Sequence, residues 1–176
     1  MAEPFKSLLP ELQKHIHSED NVIDFGCGLM PLTRKLKCKK IIGIDIWRPY
    51  IEQLANELVD RTEIGLWYAN ICEIIENMHE KSIDISLAID VVEHFEKEQA
   101  VKLIKNMERI SKKYVLIFTP VGFRAQEREE NSEYQRHRCG FRPSEFKDIG
   151  YSIYYRSRGT AKSFLAVKEM RLGRKN

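Results

Sequence analysis

The hydrophobic pattern along this chain changes period again and again. Phe5, Leu8, Leu9, Leu12 and Ile16 recur at helical spacing and predict an opening helix over about residues 4–18. Apolar runs of strand length follow at 21–26, 40–46, 64–69, 83–89 and 113–119. Between them lie helical stretches: about 31–37, a segment from Pro49 with Ile51, Leu54, Ala55 and Leu58 on one face, Ile71 to Met78, and a strong helix carrying Ala100, Leu103, Ile104, Met107 and Ile110. Strands that alternate with helices predict an α/β fold with a doubly wound, mostly parallel sheet. After Pro120 the pattern lapses. Residues 121–142 are polar with neither period, a loop of the size that commonly covers an active site. Pro143-Ser144-Glu145-Phe146 then opens a short helix, and Tyr151 to Tyr155 with Ser163 to Val167 predict an antiparallel hairpin at the sheet edge, about 151–168, which makes seven strands.

Composition narrows this picture. At 176 residues and 43% hydrophobic, the chain can bury one α/β core, so a single domain over 1–176 is expected. The net charge of +3 conceals an asymmetry, because residues 121–176 hold 13 Lys/Arg against 7 Asp/Glu. A basic final third fits either an anionic partner, such as a nucleic acid or phosphorylated glycan, or an ordinary solubilising surface, and the second reading is preferred. Cys27, Cys38, Cys72 and Cys139 form no CxxC pair, which points to reduced thiols rather than a disulfide framework or a zinc finger. The first residues lack the build of a signal peptide and no apolar run reaches the roughly 18 residues of a membrane span. A cytoplasmic protein with no membrane partner is the expectation.

The candidate chemistry begins at Asn21-Val22-Ile23-Asp24-Phe25-Gly26-Cys27-Gly28. An apolar strand runs into a glycine turn whose backbone can lie against a ligand, and Pro31 is placed to open the following helix. A second acid, Asp45, ends the next strand 21 positions after Asp24, where a carboxylate can accept hydrogen bonds from both hydroxyls of a ribose. An adenosine-containing cofactor fits that pair. NAD does not, since Pro31 stands where the dinucleotide fingerprint needs its third glycine.

Asp24-Phe25-Gly26-Cys27-Gly28 resembles the first motif of the class I S-adenosylmethionine-dependent methyltransferases, in the branch that acts on small molecules, and the resemblance spans roughly residues 20–150. It implies a Rossmann-like seven-stranded sheet with a reversed last strand beside the fifth, and S-adenosylmethionine as cofactor. It implies a cofactor half over about 20–95, in which Asp24 orients the methionine end and Gly26, Cys27 and Gly28 make room for it. Asp45 would hold the ribose, with Ile46 against the adenine and Trp47 as a second contact or ordinary core. Asn70 stands where many relatives place an acid, and its amide oxygen with the backbone of Ile71 would meet the adenine edge; Asn70 also suits a helix N-cap.

Ile89-Asp90-Val91-Val92-Glu93-His94 resembles the motif after the fourth strand of the same enzymes. By that resemblance Asp90 and Val91 face the cofactor, and Glu93 and His94 face the transferring methyl group. His94 is the expected base for a hydroxyl acceptor; the bland alternative is two polar residues entering a helix. His15, His17 and His79 are expected to be exposed and without chemistry. Tyr134-Gln135-Arg136-His137-Arg138-Cys139-Gly140-Phe141 looks like a stretch in uncharacterised polysaccharide-associated methyltransferases. A sugar acceptor touching Tyr134, Gln135 and His137 follows from that likeness, against a plain charged lid.

The favoured reading assigns no metal ligand. A runner-up reuses Asp90, Glu93, His94 and His137, which resemble the divalent-metal ligands of small-RNA 3′-end ribose 2′-O-methyltransferases, with Asp90 in place of a glutamate. A reading of another class is a non-catalytic S-adenosylmethionine-binding partner subunit.

Overall fold

The buried alternation of the strands organises everything else. A computed structural model describes residues 7–125, 133–158 and 161–170. Its strands are β1 (Asn21–Phe25), β2 (Lys40–Asp45), β3 (Ile64–Tyr68), β4 (Ile83–Ile89), β5 (Ser111–Pro120), β6 (Ser152–Arg158) and β7 (Ala161–Glu169). They form one 7-stranded sheet in the order β3-β2-β1-β4-β5-β7-β6. The first five pair in parallel, and β7 runs antiparallel between β5 and β6. The α/β, doubly wound reading and the reversed edge hairpin therefore hold.

The central strands read as near-continuous apolar runs because both faces are covered. Ile23, Phe25, Val115, Ile117, Phe164 and Ala166 face one core, and Val22, Leu116, Phe118, Leu165 and Val167 the other. The first face receives α3 (Ile71–Asn77), α4 (Lys97–Ile110) and α5 (Pro143–Lys147) through Ile71, Ile75, Phe146 and the α4 stripe, all five predicted positions of which are buried. Leu8 and Leu12 of α1 (Leu8–Gln13) and Leu54 of α2 (Arg48–Glu57) cover the second face. Strand order reverses between β1 and β4, so the crevice of the sheet opens beyond their carboxyl ends.

Four expectations change. Phe5 and the predicted start of the first helix lie outside the described residues, and α1 ends at Gln13 rather than near 18. The Gln13 side chain stops it by donating to the Ile16 carbonyl at 2.7 Å and accepting from the Lys37 amide at 2.9 Å; Ile16 stays buried without being helical. The helix expected at 31–37 is only a 3-10 turn, Thr33–Lys35. Met30 turns left-handed before it (φ 48°) and Leu36 is extended after it, leaving too few residues to offset helix nucleation. Ala55 is exposed, because α2 buries only Leu54 fully at the thin edge of the sheet. His15 is half-buried rather than exposed, its ring 5.3 Å from that of Tyr114 and 6.1 Å from that of Tyr154.

The loop after β5 is anchored at its base. The Gly122 amide donates to the Phe141 carbonyl at 2.7 Å, and a Cβ at Gly140 would lie 2.2 Å from the Phe123 nitrogen. Only glycine permits the returning chain to cross there. Residues 126–132 of the predicted lid lie outside the described residues.

Candidate active site

A cleft of about 840 Å³ opens at the carboxyl ends of β1, β2 and β4. Ten predicted cofactor positions are Asp24, Gly26, Cys27, Gly28, Asp45, Ile46, Asn70, Ile71, Asp90 and Val91, and all of them line it. The turn after β1 works through space rather than through donors. Its Gly26 and Cys27 amides both donate to the Ile44 carbonyl, at 2.8 and 3.0 Å, and the Gly28 amide donates to Asp45 Oδ2 at 2.8 Å. Gly26 (φ 66°) is required for close approach, since a Cβ there would stand 2.7 Å from Val91 Cγ2. The Cys27 thiol is buried and pushed far up in pKa by desolvation, so it stays an uncharged thiol.

Asp45 holds the turn in place. Its second oxygen accepts from the Trp47 amide at 2.7 Å, and a carboxylate so bonded still has a lone pair on each oxygen for a pair of hydroxyls. Trp47 lines the cleft instead of filling the core. Asn70 is the N-cap of α3, its Oδ1 accepting from the Cys72 amide at 3.0 Å while it also lines the cleft. Asp24 is buried at the cleft floor, where its Oδ2 accepts from Thr33 Oγ1 at 2.6 Å. Desolvation, only partly offset by that bond, pushes Asp24 up to about 7. Burial also raises Asp45. Asp90 is open to the cleft yet set in its wall, and desolvation there outweighs the nearby Arg156 cation to place it at about 6.

At the β4 end the backbone is strained. Asp90 adopts φ 52°, which a residue with a side chain rarely does, and its amide donates to the Phe118 carbonyl at 2.8 Å. A 3-10 turn, Val92–His94, follows and aims its two polar side chains differently. Glu93 is only 2% exposed; its Oε2 accepts from Thr119 Oγ1 at 3.0 Å, while Oε1 is buried with no partner among the described residues. Burial, reinforced by Asp90, raises Glu93 to about 8. Burial acts the other way on His94, lowering its pKa.

The loop brings His137 into contact with this pair, behind His94, while Tyr134 and Gln135 line the cleft together with His94. The His94 and His137 rings lie 5.0 Å apart, and one donor atom from each of Glu93, His94 and His137 lies within 4.8 Å of the others. Asp90 is not among them. The loop is tied down by the Arg138 and Cys139 amides, which donate to the Glu93 carbonyl at 2.8 and 3.1 Å. The Tyr134 ring instead lies 6.4 Å from that of Trp47, and Gln135 Nε2 donates to Tyr50 Oη at 2.6 Å, which places both residues on the β2 side of the cleft. Thr119 and Arg156 were missed from sequence. Thr119 had a signal, its place at the carboxyl end of a parallel strand; Arg156 on β6 had none.

This is the architecture of the class I methyltransferases: a seven-stranded sheet with a reversed strand beside the fifth, and a cleft at the switch point lined by a glycine turn and two aspartates. Residues 23–118 match the family model described as a methyltransferase domain, more than half of the 176, and the chain belongs to that family, the S-adenosylmethionine-dependent methyltransferases. Solved structures agree on the fold. An S-adenosylmethionine-dependent methyltransferase from Methanosarcina mazei superposes with TM-score 0.71 at 15% identity, over 96% of this chain and 100% of its own. The N-methyltransferase NodS from Bradyrhizobium japonicum gives 0.68 at 15% identity over 93% of each chain. The N-terminal domain of EvdMO1, crystallised in the presence of S-adenosylhomocysteine and D-fucose, gives 0.70 at 10% identity over 93% of this chain and 81% of its own. No curated protein matches the chain. No helix among the described residues is long and apolar enough to cross a membrane.

The cofactor is S-adenosylmethionine, and the cleft fits it. Asp24, Asp45 and Asp90 are carboxyls driven up by desolvation, and a ligand carrying a fixed sulfonium and an ammonium relieves that cost.

Proposed function

We propose that this methyltransferase acts on a hydroxyl of a sugar or another small polar acceptor. Asp24 and Asp90 hold the methionine end, Asp45 the ribose, and Ile46, Asn70 and Ile71 the adenine. S-adenosylmethionine supplies a methyl carbon on a sulfonium, and that carbon passes to an acceptor oxygen while its bonding pair stays on sulfur.

Glu93, His94 and His137 carry the choice of a hydroxyl. An amine can lose its proton to solvent before it attacks, whereas a hydroxyl is too weak an acid for that and must shed its proton during the attack, so a hydroxyl gains more from a polar cluster that manages protons. Glu93 and His94 are the catalytic pair: His94 lines the cleft, and the buried Glu93 and His137 stand behind it, with the His137 ring against that of His94. Tyr134 and Gln135, expected from sequence to touch the acceptor, line the cleft, and their contacts with Trp47 and Tyr50 let them close over the adenosine end as well. The presence of D-fucose with the EvdMO1 domain favours a sugar, while NodS shows the same fold in an N-methyltransferase.

The test is transfer of labelled methyl from S-adenosylmethionine to a panel of free sugars, sugar nucleotides and matched amino sugars. Products labelled on oxygen are expected. Label found only on nitrogen would overturn the reading, and cofactor binding without transfer to extracts of any kind would favour the non-catalytic subunit.

A further inference from the structure

Each member of the Glu93–His94–His137 cluster is anchored by a hydrogen bond to a group outside the cluster. His137 Nδ1 lies 2.8 Å from the Arg124 carbonyl, and His94 Nδ1 lies 3.4 Å from the Arg136 carbonyl. A carbonyl only accepts, so each Nδ1 is the donor in its bond, and a neutral ring so held presents the lone pair of Nε2 to a metal ion. Glu93 does the same with oxygens: Oε2 is taken by Thr119, and Oε1 is buried with no partner among the described residues. Two imidazoles fixed by backbone carbonyls and a carboxylate fixed by a hydroxyl are the outer-shell pattern of a metal centre.

We infer that Glu93, His94 and His137 hold a divalent first-row transition-metal ion, of the zinc, manganese or cobalt kind. Donor atoms within 4.8 Å of one another need move inward by about 1 Å each to reach the roughly 3.4 Å separation of a tetrahedral set at ordinary bond lengths. Two histidines and one carboxylate favour such an ion over magnesium or calcium, which prefer all-oxygen shells. With three protein ligands a coordination position remains, and on the side of His94, the ligand that lines the cleft, the acceptor hydroxyl takes it. There the O–H bond breaks, its proton leaves to solvent in the open cleft, and the oxygen keeps the electron pair that forms the new bond to the methyl carbon. This use of the ion rests on the hydroxyl reading; its binding does not.

Titration of the metal-free full-length chain with Co²⁺ is the test. One saturable site with visible ligand-field absorption is expected. His137→Ala and, as a second variant keeping size and hydrogen bonding, Glu93→Gln should each weaken binding at least about 100-fold, with folding checked by circular dichroism and S-adenosylhomocysteine affinity held within about two-fold. Absence of a saturable site, or binding unchanged in both variants, overturns the assignment. Methyl transfer that survives exhaustive chelation would overturn the catalytic use of the ion. A protein that binds Co²⁺ in this way but methylates only amines would keep the site and refute the hydroxyl reading.

Discussion

The two halves of the cleft are built on opposite plans. On the β1–β2 side nearly every polar group is already engaged: the Gly26, Cys27 and Gly28 amides bond to β2, and Asp45 and Asn70 each accept from a backbone amide. On the β4–β5 side the order is reversed. Asp90 is strained, Glu93 Oε1 and Arg156 Nε are buried without partners among the described residues, and two histidines face each other. A cofactor common to many enzymes can be met by a rigid, self-satisfied frame. An acceptor and a travelling proton need groups left unspent, at a cost in stability that the frame absorbs.

The sharpest way to break this contrast is at His94. His94→Ala should lower turnover by about 10² to 10⁴-fold while S-adenosylhomocysteine affinity stays nearly constant, measured by single-turnover kinetics beside calorimetry. A parallel loss of cofactor affinity would merge the two halves into one. Next in size is Asp45→Ala, expected to cost about 1.5–3 kcal/mol of cofactor binding by calorimetry. Because Asp45 also fixes the Gly28 amide, this variant should melt lower as well, which His94→Ala should not. Asn70→Ala sharpens the point further: loss of the α3 cap should reduce stability by about 1 kcal/mol in denaturant unfolding, with a smaller loss of cofactor affinity.

The smallest expected effect is one of pH. Asp24 at about 7 and Glu93 at about 8 lie above their unfolded values of 3.8 and 4.5. Between pH 7 and 8 the folded chain therefore still binds protons that the unfolded chain has lost, so stability of the ligand-free, metal-free protein should fall as pH rises through that window. His94, whose pKa is lowered, contributes in the opposite sense only at lower pH, where the unfolded ring becomes charged. Melting curves should show the decline, flattened in Asp24→Asn and in Glu93→Gln. Added S-adenosylhomocysteine should offset the Asp24 part, because its ammonium favours the ionised carboxyl. A melting temperature that rises from pH 7 to 8 in the wild type would contradict the buried-acid description.

What could be read from sequence was what local periodicity encodes. Strands β1, β2 and β4 and the α4 stripe came through because each is a short apolar run or a 3.6-residue repeat, and the glycine turn because its residues are contiguous. The loss of a helix after Gly28 was not legible, since Pro31 and Leu32 permit a helix, and the left-handed Met30 and extended Leu36 that confine it to one turn carry no glycine or proline to announce them. The same holds for the loop. Tyr134, Gln135 and His137 stand within four positions of one another, yet two of them cross to α2 and one turns to His94, a division set by contacts distant in sequence. Thr119 as the holder of Glu93 belongs to this class too, being a pairing between neighbouring strand ends.

The crossing at Gly140 has a bearing on how such a chain diversifies. Since Phe123 and Gly140 meet backbone to backbone, and Gly122 is bonded to Phe141, the segment between them enters and leaves the body at one point. Its described residues are fastened to the body inside that crossing as well, through Arg138 and Cys139 to Glu93 and through Gln135 to Tyr50, so a change of sequence there is felt at both ends of the cleft.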